Sequence, residues 1–565
     1  MKSNLSINFG QFWALALIVA FAVGMRCWGT SYGLPFSYWA DEYHEVMRAL
    51  ELGAGGFNFD RTSKGGFYLF LFLEYGLYYV FLKSVNVVST TREFAELFVT
   101  DPSAFYLMGR VTAALIGSAT VLGVYCSARV AFSNLAGLFA ALLLAVNVLH
   151  IDLSRRIGVD VPMAMLATWT LYYAIRIARA GRSFDYVAAA VLGALAATTK
   201  ITGILLVMPL FLAHVYAMRV AGGGVRQAVT SPRLWWAVLL FAAVLIATNP
   251  GIVSASGYLT LFIEAPVDLA ELGSDEAHGE TDHRMPPSLY VFYLASLAES
   301  MGWPLFVVAL ISVIYAAWKR TPTDVLLLSY ALVNYLAIAG TSSNVLYYPR
   351  YLLPIVVSLS ILSGRALADA VQVLGRHQRV ALVALLAACI AMPLGHAIAS
   401  ARVLTRTDIR TIAKAWIEAN IPAGSKILVE GGKIAADRAT VPLRDKAESV
   451  RKRIEYWSRV EPRQATLLKL QLATHRGGGY DLELLDHEAV ESLDDYAEKG
   501  VKYFVVRPDY FMGARRANAA SARFLRELRS DRRVSMIKRF PADERSRLGP
   551  TVEIYRLSLT DGEAL

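Results

Sequence analysis

Two carboxylates stand side by side at Asp41 and Glu42, at the head of a polar stretch that also carries His44, Glu45, Arg48, Asp60, Arg61 and Lys64 before apolar sequence resumes. Acidic and basic groups gathered in one short segment are what proton transfer requires. The periodicity of Val46, Met47, Ala49 and Leu50 predicts a short helix lying in an interface, with Asp41 at its N-terminus. Asp41 then has two readings: a helix cap favoured by free N–H groups and the helix dipole, or a general base. Glu45 and Arg48 likewise fit an ordinary i, i+3 pair on a solvated face. Glu74 and Glu299 fall inside apolar runs, where an ionisable group is costly and is kept for function or hydrated at a helix end. Arg350, behind Tyr347 and Tyr348, opens another apolar run, where an arginine either snorkels or binds.

No dedicated metal-ligand motif appears. His44, His278 and His283 are the side chains that would converge on a divalent ion if one were bound, so the metal assignment is none and no cofactor is required. Cys27, Cys126 and Cys389 sit within apolar runs without C-x-x-C spacing, which makes them packing residues.

The elements that must position these residues are mostly lipid-facing. A chain of 565 residues with 55% hydrophobic and 18% charged composition is too apolar for a soluble enzyme of its size. The net charge of +10 follows the ends of apolar runs, so it reports topology and not nucleic-acid binding. Runs long enough to span a bilayer number about eleven, at 11–31, 67–83, 106–130, 133–150, 160–177, 186–218, 234–251, 289–317, 323–340, 351–372 and 380–398. The stretch 186–218 is long for one span and holds Lys200 near its middle, as a broken or doubled helix would. With the N-terminus inside, the basic linkers 151–158, 219–233, 319–322 and 373–379 fall inside. Loops 32–66 and 252–288 and everything after about 400 fall outside, and one linker, with Arg176, Arg179 and Arg182, falls outside against the charge bias.

Beyond residue 400 charge rises and apolar runs shorten to strand length at Lys426 to Glu430, Lys502 to Arg507 and Thr551 to Leu557. A helix is predicted from Asp408 to Ala419, stopped by Pro422 and Gly424. The organisation is therefore an all-α polytopic membrane domain over 1–400 and a soluble α/β domain over 401–565.

The run DEYHEVMRALELGAGGFNFD followed by Lys64 resembles the first outer loop of protein O-mannosyltransferases and lipid A aminoarabinose transferases, in the GT-C superfamily (glycosyltransferase family 39-like). This chain has SKGGF where those relatives usually carry Lys-Pro-Pro. The resemblance extends through GRVTAALIGSATVLGVY (Gly109 to Tyr125), SRRIGVDVPM (Ser154 to Met163), TTKITGILLVMP around Lys200, YYPRYLLPI (Tyr347 to Ile355) and DIRTIAKAWIEANIPAGSKILVE in the soluble domain.

The resemblance implies a GT-C fold and an inverting transfer of a hexosyl or pentosyl group from a polyprenyl-phosphate donor to a hydroxyl on a lipid, glycan or protein. It implies Asp41 as base, with Glu42 orienting it or the acceptor. Lys64 and Arg350, assisted by Tyr347 and Tyr348, would hold the donor phosphate, and His44, Asp60, Arg61, Glu74 and Glu299 would line the cavity. Arg155, Arg156 and Asp160 match a family motif but fall inside in the expected topology, which assigns them to structural pairing. The implied location is the cell (inner) membrane, with the C-terminal domain extracytoplasmic. The competing reading is a polytopic transporter or lipid flippase with an external sensing domain. Transporters usually show related halves, whereas here polar residues concentrate in one outer loop. The oligosaccharyltransferase branch is disfavoured because Trp235 and Trp236 are followed by Ala237 and not by Asp.

Overall fold

The computed structural model describes residues 9–53, 65–250, 288–340, 348–430, 440–460, 462–475, 477–485, 490–508, 519–543 and 547–558. Asp60, Arg61, Lys64, His278, His283 and Tyr347 lie outside the described residues, as does nearly all of loop 252–288.

The first half of the helical domain contains α1 (Phe9–Cys27), α2 (Ala40–Gly53), α3 (Gly65–Ser84), α4 (Thr91–Thr100), α5 (Ser103–Ala131), α6 (Asn134–Ala145), α7 (Val148–Leu153), α8 (Asp160–Ala180), α9 (Ser183–Thr199), α10 (Val207–Val220), α11 (Val225–Val229) and α12 (Pro232–Thr248). The second half contains α13 (Leu289–Met301), α14 (Trp303–Lys319), α15 (Pro322–Ala339), α16 (Leu353–Val373) and α17 (Arg376–Leu404). Local chemistry sets the boundaries. Ser133 and Asn147 cap α6 and α7 by accepting from Ala136 and His150 N–H. Thr321, Pro322 and Asp324 open α15 as a capping box. Helices approach closely where a side chain is missing: a Cβ on Gly364 of α16 would stand 2.5 Å from the Ala136 carbonyl oxygen of α6.

Contacts between helix termini define two ends of the bundle. At one end Arg176 of α8 pairs with Asp185 of α9 at 2.8 Å, and Arg233 of α12 donates to the Gly181 carbonyl at 3.2 Å. Arg365 of α16 pairs there with the buried Asp324 of α15 and lies 4.6 Å over the Phe132 ring between α5 and α6. At the other end Asp160, which starts α8, meets Lys200, which follows α9, and Leu404 of α17 packs on Gly29 beyond α1. The helices that run between these ends are α1, α5, α6, α8, α9, α10, α12, α14, α15, α16 and α17. Among the described residues, length and composition alone pick 8 spans, or 9 with the bent pair, because α6 and α9 are short, α8 carries too many polar residues to be picked, and α3 is long and apolar enough to be included. The pair α13 and α14 bends by 115° at Gly302, so α13 stays at the Lys200 end beside the Pro349–Leu352 turn.

Two expectations are corrected. The run 67–83 does not traverse the bundle: Gly66 abuts Thr198 and Thr199 next to Lys200, while Leu82 joins Phe94 and Phe105 at the start of α5, so both ends of α3 lie on one side. The stretch 186–218 breaks at Lys200 into α9, a 3-10 turn (Ile201–Leu206) and α10, which makes two traverses. The tally is unchanged, but every segment from 85 to 199 changes side. Arg176, Arg179 and Arg182 thereby join Arg219, Arg233, Lys319, Arg320, Arg376 and Arg379 at one end, which resolves the mismatch at that linker, while Arg155 and Arg156 of the linker 151–158, expected inside, move to the other end. Residues 154–160 move to the opposite end, beside Asp41.

The soluble part begins as α17 ends at Leu404. It comprises α18 (Ile409–Asn420), β1 (Lys426–Glu430), α19 (Ala447–Val460), α20 (Pro462–Ala473), β2 (Asp481–Leu485), α21 (Leu493–Glu498), β3 (Tyr503–Val506), α22 (Ala519–Ser530), β4 (Val534–Phe540) and β5 (Val552–Leu557). The sheet order is β2-β1-β3-β5-β4, with β1 parallel to β2 and β3, and β5 antiparallel to β3 and β4. Three strands and the first helix stand where expected. The edge strands β2, with Asp481 and Glu483, and β4, with Lys538 and Arg539, interrupt their apolar residues with charge and do not stand out in the sequence.

Candidate active site

The two adjacent carboxylates enter different environments. Glu42 is fully buried and accepts from Arg110 Nε at 2.9 Å, Arg110 Nη2 at 2.7 Å, the Ile157 N–H at 3.0 Å and Ser37 Oγ at 3.0 Å. Arg110 spends its remaining nitrogen, Nη1, on the Thr30 and Tyr32 carbonyls at 2.8 and 2.6 Å and lies 4.8 Å over the Trp39 ring. A buried ion pair holds only when its remaining donors and acceptors are satisfied, as they are here. Glu42 thus ties the first turn of α2 to α5 and to the segment before α8.

Asp41 points elsewhere. Its side chain is 36% exposed and its Oδ2 accepts from Arg350 Nη1. Arg350 sits on a 3-10 turn, Pro349–Leu352, that leads into α16 between two prolines, with its guanidinium 4.4 Å over the Tyr348 ring. Its Nε stands 3.9 Å from Asp160 Oδ2, beyond hydrogen-bond reach, and is buried with no hydrogen-bond partner among the described residues. Asp160 Oδ1 accepts from Lys200 Nζ, and that ammonium lies 4.3 Å over the Tyr351 ring.

Helix polarity explains this meeting. Asp160 opens α8, where an anion is favoured, and Lys200 follows the last turn of α9, where a cation is favoured. Antiparallel packing of the two helices brings these termini together, and the α16 turn and the α2 N-terminus close the group. The result is an alternating cluster of Asp41, Arg350, Asp160 and Lys200, walled by Tyr348 and Tyr351.

The other candidates distribute unevenly. His44 stands on α2 with its ring edge on Tyr43, centroids 5.7 Å apart. Glu74 accepts from Thr112 Oγ1 at 2.6 Å, joining α3 to α5, and Glu299 is exposed on the last turn of α13. Among the described contacts neither reaches the cluster. Among the described residues no group of three or more His, Cys, Asp or Glu could hold a metal ion. The expected parity places Asp160 at the wrong end and so assigns it to structural pairing, and Lys200 reads in the sequence only as a break in the stretch 186–218. Arg110 was missed altogether, although an arginine in the apolar run 106–130 was signal enough.

The chain is a multi-pass membrane protein with the GT-C fold. It is similar to ArnT from Cupriavidus metallidurans bound to undecaprenyl phosphate, at 13% identity and a TM-score of 0.51, over 95% of this chain and 97% of that one. The Archaeoglobus fulgidus oligosaccharyltransferase tethered with an acceptor peptide aligns at 14% identity and a TM-score of 0.46, over 88% of this chain and 69% of that one. The mycobacterial arabinofuranosyltransferase AftD aligns at 16% identity and 0.42, over 99% of this chain and 42% of that one. By sequence, the family described as dolichyl-phosphate-mannose-protein mannosyltransferase matches residues 97–250, from α4 to the end of α12. No curated protein sequence matches the chain.

Proposed function

We propose that the protein is an inverting glycosyltransferase that moves a sugar from a polyprenyl-phosphate donor to a hydroxyl of a lipid, glycan or protein acceptor. The observation that carries this reading is the buried, unsatisfied Nε of Arg350 beside the one partly exposed carboxylate of the cluster, Asp41. An unmade donor on a buried cation is costly, and a phosphate oxygen satisfies it. The same guanidinium now holds Asp41, so an arriving phosphate competes for it and releases the carboxylate.

In the reaction the acceptor oxygen attacks the anomeric carbon, the bond from that carbon to the phosphate oxygen breaks, and polyprenyl phosphate leaves with the electron pair. The hydroxyl proton passes to Asp41, a role worth about 10²–10⁴-fold in rate for a positioned base. Phosphate is a good leaving group, so no general acid is needed, and one displacement inverts the sugar carbon. Arg350 bears the developing phosphate charge, with Lys200 and Asp160 fixing its place. Lys64, Tyr347, Asp60 and Arg61 lie outside the described residues, and the resemblance puts the first two on the phosphate.

Orientation follows from charge: the end rich in Arg and Lys faces the cytoplasm, which puts the cluster and the soluble domain on the extracytoplasmic side of the cell membrane. Release of free polyprenyl phosphate from a labelled donor, dependent on Arg350 and Asp41, is the test. A donor that stays intact in the presence of every acceptor class defeats the reading.

A further inference from the structure

The segment from Gly29 to Trp39 leads directly into Asp41 and contains no helix, only turns, with Gly29 and Gly33 at φ of 91° and 73°. Gly33 has no room for a side chain, since a Cβ there would lie 2.7 Å from the Tyr38 ring. Such a segment has little stiffness of its own, so its conformation is set by what holds it. On one side Arg110 binds the Thr30 and Tyr32 carbonyls. On the other side several contacts come from the root of the soluble domain. Tyr32 OH donates to Asp408 Oδ2, and Tyr38 OH bonds Thr411 Oγ1 at 2.7 Å. The Arg410 guanidinium stacks 3.8 Å over the Tyr38 ring and Lys414 reaches the Phe36 ring at 5.9 Å.

The soluble side of this joint is itself rigid. Asp408 is buried at 1% exposure, caps α18 through the Arg410 N–H at 2.8 Å, and grips the Arg410 side chain with both oxygens, at 2.8 Å to Nε and 2.9 Å to Nη2. Ile409 N–H donates to the Leu548 carbonyl at 3.0 Å, which joins this root to the loop that leads into β5. Burial raises the hydroxyl of Tyr32 and pushes that of Tyr38 up to about 12, so both remain protonated at neutral pH. Two tyrosines therefore carry the position of the soluble domain into the turn that aims Asp41.

We propose that Asp408, Arg410, Thr411, Tyr32 and Tyr38 form a latch through which the soluble domain positions the catalytic loop, making the root of that domain part of the active site without touching substrate. This inference rests on the reading of Asp41 as the base. The membrane bundle holds α2 through Glu42, through Arg48, which donates to Tyr68 OH at 2.8 Å, and through Val46 and Ala49 packed on α3, and the latch fixes the lead-in. Release of the latch leaves the cations of the donor site in place but lets Asp41 wander, and an error of about 1 Å in a reacting group costs up to about 10²-fold.

The test uses the full-length protein with polyprenyl-phosphate sugar as probe, and variants Tyr38→Phe and Asp408→Asn. Asparagine caps as well as aspartate, so Asp408→Asn keeps α18 while it loosens both the grip on Arg410 and the bond from Tyr32 OH; Tyr38→Phe removes one hydroxyl and serves if the first variant folds poorly. The expected result is a fall in kcat of about 10- to 100-fold with donor KM within about twofold. In an Asp41→Asn background the same substitutions should cost nothing further, because their effect acts through Asp41. Unchanged kcat, or the same loss with and without Asp41, overturns the latch. If Asp41→Asn alone keeps full turnover, it is the base assignment that fails, a result separable from the latch since it needs neither latch variant.

Discussion

Asp41 and Glu42 are neighbours in sequence and opposites in environment. Glu42 is dry, paired with one arginine along two edges and saturated by four donors, whereas Asp41 is partly exposed and shares Arg350 with a second aspartate. Residues i and i+1 on a helix point about 100° apart, so an acidic pair at an N-terminus naturally sends one side chain inward and one outward. The inward one ties α2 to the bundle and the outward one faces the charged cluster. The same division holds for the arginines: Arg110 uses all its nitrogens on protein, and Arg350 keeps one in reserve.

Substitutions should separate the two halves of this comparison. The largest effect falls on Glu42→Gln, which leaves Arg110 charged and buried without a carboxylate; the loss of stability should be about 3–5 kcal/mol, read as thermal inactivation of the purified protein. Asp41→Asn should do the reverse, with a much smaller loss of stability, since this side chain is 36% exposed and asparagine keeps its shape, and with turnover down by at least about 10²-fold, since asparagine takes no proton. Similar stability losses in both variants would erase the distinction. Arg350→Ala should weaken donor binding by about 10–150-fold, measured as donor Kd, with folding intact.

Asp160→Asn removes an acid from the far side of Arg350 and should shift donor affinity by only about two- to fivefold, the range for a partly screened pair. The smallest effect lies far from the site, at Asp481. Burial opposes its ionisation, but hydrogen bonds from Lys446 and Ser449 outweigh that and hold its carboxyl below the ordinary value. A depressed carboxylate contributes stability above its unfolded pKa and loses it as pH falls through the folded one, so the soluble domain should weaken below about pH 4. Asp481→Asn should flatten that dependence without changing turnover.

Much of this was legible from residue types. Asp41 and Arg350 were singled out by charge at apolar boundaries, and they meet in the fold. The parity of the helices was not legible, for two physical reasons. Phe70, Leu73, Leu77 and Val80 give α3 an exposed apolar stripe and Phe67, Leu71 and Tyr75 give it a buried one, so a helix that never leaves one end of the bundle reads as a span. Lys200 is hidden by apolar neighbours on both sides, and only its partner Asp160 explains why the chain turns there. One error in each place cancelled in the span count and inverted everything between. That inversion is why Asp160 was misplaced, and why the arginines at 176, 179 and 182 broke the charge pattern; the mismatch in charge was the available clue.

The most direct test follows both ends of the donor. Purified protein in lipid is given a polyprenyl-phosphate sugar labelled on the lipid and on the sugar, together with lipid, glycan and protein acceptors, beside the Asp41→Asn variant. The account predicts free polyprenyl phosphate and acceptor-bound sugar in equal amounts with inverted anomeric configuration, and almost none from the variant. Labelled donor that crosses the bilayer intact, or release that persists undiminished in Asp41→Asn, would contradict it.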